Sequence, residues 1–205
     1  LFRSHLQVKT GRPAVALRET ITRAATADLM FQPAPDPAGK EMAMKVRVKL
    51  SVEPLPRGDG LRTLIEPEVL PEGSRLNREQ AEALQQGIRF SLGGGPIEGA
   101  PIQDVQVRVE QVELFGGASS ADSLNAAASR AMRRAIDAAG PVLLQPIMQA
   151  EVVVPEENLG SVLGDLQSRH ALIRDTSKHG GNAAITCELA LAKLLGYTTQ
   201  LRSMN

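Results

Sequence analysis

Between residues 105 and 141 the spacing of apolar positions changes period. Val105, Val107 and Val109 alternate with polar neighbours, the two-residue repeat of a half-buried strand. The phase slips at Glu110-Gln111, as a bulge would make it, and resumes at Val112 and Leu114. A polar hinge of small residues follows: Gly116, Gly117, Ala118, Ser119 and Ser120. Beyond it Leu124, Ala128, Ala131, Met132, Ala135, Ile136 and Ala139 recur at helical spacing until Gly140-Pro141 stops the run. A helix of this length spans roughly 30 Å. Its leading hinge therefore lies far from its tail and reads as a tip.

The same reading orders the rest of the chain. Residues 1–13 are a lead-in, 15–24 a short edge strand, and 32–40 a proline-rich loop. Met44, Val46, Val48, Leu50 and Val52 alternate with Lys45, Arg47, Lys49 and Ser51, which predicts a strand with one buried and one wet, basic face. A turn covers 54–60, and 61–70 is weakly strand-like, broken by Pro67. Asn77 with Gln80 resembles a capping box. The helix it opens buries Leu84 and Ile88, with Leu76 and Leu92 near its ends, and Gly93-Gly94-Gly95-Pro96 stops it. The first domain ends near Pro141.

A second unit follows in the order β-α-β-β-α. It comprises a strand over 147–154, a helix carrying Leu159, Val162, Leu163 and Leu166, and strands over 171–175 and 183–189 joined by a polar turn, 177–182. A last helix carries Leu191, Leu194, Leu195 and Leu201. This is a split βαβ sandwich of the ferredoxin-like kind without its last strand. The fold class is α+β.

Composition narrows the chemistry. With 23 basic and 23 acidic residues among 205, the net charge is zero, which argues against a general polyanion coat but leaves local basic patches open. Arg130, Arg133 and Arg134 fall on the solvent side of the long helix, and charge alone does not separate a solvated face from a phosphate-binding one. One Tyr, four Phe and no Trp leave little for stacking on bases. The single Cys187 excludes an intramolecular disulfide and sits in an apolar strand phase. His5, His170 and His179 have no evident nucleophile beside them, and the glycine run at 93–95 lacks the Gly-Lys-Ser/Thr of a phosphate loop. No apolar run reaches the length of a membrane span. The chain reads as a piece of a longer protein.

Five phrases change this picture: Gly11-Arg-Pro-Ala-Val-Ala-Leu-Arg-Glu-Thr20, Val52-Glu-Pro-Leu-Pro-Arg-Gly-Asp-Gly60, Ala138-Ala-Gly-Pro-Val-Leu-Leu-Gln-Pro-Ile-Met148, Leu163-Gly-Asp-Leu-Gln-Ser-Arg169 and Gly196-Tyr-Thr-Thr-Gln-Leu-Arg-Ser-Met204. In this order they resemble the elongation factor G family of translational GTPases. The resemblance implies the end of a third domain at 1–13. It also implies a fourth domain at 14–141 with a ribosomal-protein-S5-like β-α-β fold, and a truncated ferredoxin-like fifth domain at 142–205. GTP and Mg²⁺ would belong to a domain outside this chain, which itself carries no catalytic, cofactor or metal residue. The parent would be a GTPase, with a divergent translocase as the alternative within the family and a non-GTPase RNA-binding module of an inactive paralogue as the alternative of another class.

Translocating members carry two tip loops, one Gly-rich and one reading His-Asp-Val-Asp-Ser-Ser. Here the first position is the proline-rich 32–40 and the second is the shorter 116–120, without histidine or aspartate. This looks like the second mitochondrial factor of the family, which splits ribosomes after termination with ribosome recycling factor. The resemblance implies a monomer of the mitochondrial matrix, with a bacterial cytoplasm as the alternative setting. It makes Gln32, Lys40, Gly116, Gly117, Ala118, Ser119 and Ser120 the expected contacts to ribosome or recycling factor. Arg57 and Arg169, which lie in the quoted phrases, join Arg130, Arg133 and Arg134 as expected RNA phosphate contacts. Arg169-His170-Ala171 departs from the family's usual Arg-Arg-Gly.

Overall fold

The computed structural model describes residues 16–34, 44–65, 76–195 and 197, with backbone only over 61–65. The chain forms two compact units, one of residues 17–144 and one built from residue 145 onward.

In the first unit, β1 (Arg18–Ile21) pairs antiparallel with β6 (Pro141–Leu144). The main sheet has the order β2-β3-β5-β4, from β2 (Ala25–Phe31), β3 (Val46–Pro54), β4 (Leu61–Ile65) and β5 (Val105–Leu114). β4 runs parallel to β5, and α1 (Arg78–Leu92) is the crossover between them. Val46, Val48, Leu50 and Val52 are fully buried, as their alternation predicts. The phase slip in β5 is a bulge: Lys49 faces Gln111 while Leu50 faces Val109, which leaves Glu110 as the extra residue. That extra residue keeps both Val109 and Val112 on the core side.

Both helices join this core. In α1 the capping box forms in full, Asn77 with the Gln80 backbone and Gln80 with the Asn77 backbone. In α2 (Ala121–Ala138), Ser120 is the N-cap and every apolar position named from its period is buried. Thr22 and Arg23 close the far end of α2. Their backbone N–H groups donate to Ala139 and Gly140 carbonyls, and Arg23 Nε donates to Ala138 at 2.9 Å. The two helices cross at Gly87, where a Cβ would stand 2.9 Å from the Ala128 Cβ and against the Asn125 carbonyl.

In the second unit the sheet order is β7-β9-β8, from β7 (Ile147–Pro155), β8 (Leu172–His179) and β9 (Asn182–Ala190). β9 is antiparallel to both neighbours, so α3 (Leu159–Ser168) joins two strands that β9 separates, the split βαβ arrangement. Val152, Val154, Val162, Leu166, Ile185 and Leu189 make its core. The expected polar turn at 177–182 needs correction. The strands extend through it and leave Gly180-Gly181 alone at the turn, with φ of 59° and 82°, because two glycines complete a tight hairpin unaided. The last helix is described over Leu191–Leu194, and Leu201 lies outside the described residues.

Cys187 is buried in β9, and burial pushes its thiol above the ordinary range. The folded chain is expected to resist a thiol-specific reagent at neutral pH and to react fully in denaturant. Rapid labelling of the native chain would contradict its placement.

Candidate functional site

Phe31, Val46 and Leu114 stand side by side in the register, so β2, β3 and β5 finish at one end of the first unit. The segments that leave them therefore meet. Lys45 N–H donates to the Ala118 carbonyl at 2.8 Å. The Ser119 hydroxyl donates to the Lys45 carbonyl and accepts from Phe115 N–H, both at 2.7 Å. Gln80 Nε2 donates to the Ser119 carbonyl, tying in the first turn of α1. The Lys45 ammonium sits 4.4 Å from the Phe115 ring centroid.

Of the expected tip residues, the structure brings Gln32 and Gly116–Ala118 with Ser119 and Ser120 to this end, while Lys40 lies outside the described residues. Ser119 faces inward, 2% exposed, with its hydroxyl used within the tip. Gly116 and Gly117 are exposed, and no atom stands within 4 Å of a Cβ built on either. At these two positions the exposed surface is bare backbone.

The expected phosphate contacts are spread over both units. Arg57 lies at the opposite end of β3, about 27 Å away at ~3.4 Å per residue. Its guanidinium is 3.8 Å from the Asp104 carboxylate, which is buried and accepts from Gly58 and Gly60 N–H. Arg169 belongs to the second unit. It bonds Asp165 at 3.0 Å and the Lys193 carbonyl, and lies 4.7 Å from the Tyr197 ring, so it fastens α3 to the segment after β9. Arg130, Arg133 and Arg134 are exposed on α2, with Arg130 4.9 Å from the Phe31 ring.

The wet face of β3 is basic in sequence but compensated in the fold. Arg47 pairs with Asp28 at 2.7 and 2.8 Å and with Glu113 at 3.7 Å, and Lys49 with Glu110 at 3.0 Å. The Arg47 bond holds the Asp28 carboxyl below its ordinary range, and Lys49 does the same for Glu110. Arg174 likewise lowers Glu188 in the second unit. Lowered carboxyls add stability above their unfolded pKa and lose it as pH falls through the folded value. The thermal midpoint is therefore expected to fall on acidification below the ordinary carboxylate range, and less steeply in high salt. The pairs are exposed, so the effect is small.

The glycine run at 93–95 is no phosphate cradle. The N–H groups of Ile97, Glu98 and Ala100, which follow it, already donate to the buried Glu19 carboxylate at 2.9–3.1 Å. Among the described residues no group of His, Cys, Asp and Glu side chains could hold a metal, and no helix is long and apolar enough to cross a membrane. Sequence reasoning missed Phe90, which is 82% exposed beside Arg130 and Arg133. Its signal was its phase: Leu84, Ile88 and Leu92 are buried on α1, and Phe90 falls off that stripe.

Residues 13–140 match the family model for elongation factor G, domain IV, and residues 142–205 match that for the elongation factor G C-terminus. The chain belongs to the elongation factor G family. It is 37% identical over 199 residues to elongation factor G 2 of Geobacter metallireducens, covering 97% of this chain and 28% of that protein. It is 34% identical over 210 residues to elongation factor G 1 of Bdellovibrio bacteriovorus, covering 100% and 28%. A crystal structure of a Thermus thermophilus protein aligns with TM-score 0.68 at 28% identity, over 95% of this chain and 28% of that one. The chain thus spans little more than a quarter of the elongation factor G relatives it matches. The α+β class and the family expected from the five phrases both hold.

Proposed function

We propose that this chain is the ribosome-facing arm of a translational GTPase whose GTP and Mg²⁺ are held by a domain outside these residues. Membership of the elongation factor G family supports that reading. Within it, the parent splits post-termination ribosomes together with ribosome recycling factor. The tip carries this finer reading. Residues 116–120 contain neither histidine nor carboxylate, and the Ser119 hydroxyl is turned inward while Gly116 and Gly117 are exposed. Such a segment can press on a partner by shape and backbone, and its one exposed polar side chain is the short hydroxyl of Ser120. The helix–sheet core behind it is close-packed, so movement of the parent would carry the tip as a rigid body.

A second reading, tRNA–mRNA translocation, is favoured by the relatives' printed names, all elongation factor G. The setting follows the activity: mitochondrial matrix for the recycling factor, bacterial cytoplasm for a factor like those bacterial relatives. The full-length protein separates the readings in two assays at one stated salt concentration, GTP-dependent splitting with recycling factor and translocation. Splitting without translocation supports recycling. Translocation without splitting overturns it.

A further inference from the structure

A groove of about 590 Å³ opens between the last turn of α1, with the glycines after it, and the outer side of α2. Its apolar lining is Phe90, Pro96 and Ile136, of which Ile136 is buried and Phe90 stands 82% exposed. Arg130 and Arg133 line the same groove, and Asp137 stands among them. Among the described residues Arg133 makes no ion pair. An exposed phenylalanine beside arginines is the composition of a protein-docking hot spot.

We propose that this groove docks an acidic amphipathic segment of a partner protein. An apolar side chain of that segment packs against Phe90, Pro96 and Ile136, and its carboxylates meet Arg130 and Arg133. The charge arrangement favours such a segment over an RNA strand. Its lining is largely apolar, and Asp137 stands beside the two arginines. A phosphodiester strand carries a charge at every residue and would lay it on the apolar lining and against Asp137. A peptide places its carboxylates only over the guanidiniums. The inference is independent of which ribosomal step the parent performs.

The test uses this chain and a labelled helical peptide with leucines at one-turn spacing among glutamates. The same peptide with alanines for leucines and a single-stranded oligouridylate are the comparisons. The leucine peptide is expected to bind, and Phe90→Ala and Arg133→Glu are each expected to weaken it about tenfold or more. Because Phe90 is largely exposed, Phe90→Ala is expected to leave the thermal midpoint unchanged, which separates lost docking from lost fold. No binding of the leucine peptide, or binding that neither substitution weakens, overturns the proposal. So does oligouridylate binding that Phe90→Ala abolishes while the peptide fails to bind.

Discussion

Glu19→Ala is expected to destabilise the first unit by roughly 3–5 kcal/mol, the scale at which buried charged partners are lost. Glu19 is fully buried in β1, and its carboxylate is the acceptor for Ile97, Glu98 and Ala100 N–H. Its backbone also donates to the Pro101 carbonyl and accepts from Gln103 N–H, so one residue makes five hydrogen bonds to the connection between α1 and β5. Alanine leaves those amides without their shared acceptor, the Ala100 amide in a buried position and the other two in part-buried ones. Glu19→Gln is expected to cost less, about 1–2 kcal/mol, because its oxygen can serve two amides while its NH₂ faces a third donor. Gly95→Ala should produce a related lesion, since its Cβ would overlap the carboxylate. Urea titration followed by the Val48 amide resonance reports on this unit alone. A loss below about 1 kcal/mol for Glu19→Ala would contradict the assigned role.

Gly87→Ala and Gly164→Ala should have opposite signs. Both glycines are helical, and alanine gains about 1 kcal/mol of helix propensity at either. At Gly164 in α3 a Cβ meets nothing within 4 Å, so the gain stands and the second unit is stabilised by about 0.5–1 kcal/mol. At Gly87 the Cβ drives into the Asn125 carbonyl and the Ala128 Cβ. The crossing also carries hydroxyl bonds from Ser129 to the Gly87 carbonyl and from Ser91 to the Ser129 carbonyl, so the helices cannot separate without losing them. Overpacking of about 1–3 kcal/mol plus those bonds exceeds the propensity gain. Gly87→Ala is therefore expected to destabilise by about 1–2 kcal/mol and Gly87→Leu by more. Thermal melts of the two alanine variants check the sign directly, and stabilisation by Gly87→Ala would refute the close crossing.

Much of this fold was legible because its signals are local. The period change from β5 to α2, the slip at Glu110, the capping box at Asn77 and the alternation in β3 each lie within a few residues. What the sequence concealed depends on distant partners. Lys45, Arg47 and Lys49 read as a basic face, yet Asp28, Glu113, Glu110 and the Phe115 ring meet them only once the strands pair. Ser119 reads as a polar tip residue, but its hydroxyl is turned inward onto the Lys45 carbonyl of a distant segment. Several residues in the phrases that carry the family resemblance prove to be supports. Glu19 anchors the loop at 96–103, Gly58 and Gly60 are held by Asp104, and Asp165 pairs with Arg169. Sequence phrases of this kind identify a family through its scaffold. The proposed recycling role rests instead on the tip, which lies outside those phrases.

The most direct test of that claim is a loop exchange in the full-length factor. Residues 116–120 would be replaced by the longer His-Asp-Val-Asp-Ser-Ser connection, and ribosome splitting and tRNA–mRNA translocation measured together. If the short tip determines the activity, the exchange reduces splitting with recycling factor while leaving GTP hydrolysis on the ribosome intact, and translocation appears or rises. Unchanged splitting and translocation in a folded, GTP-hydrolysing variant would contradict the account and move the determinant away from the tip.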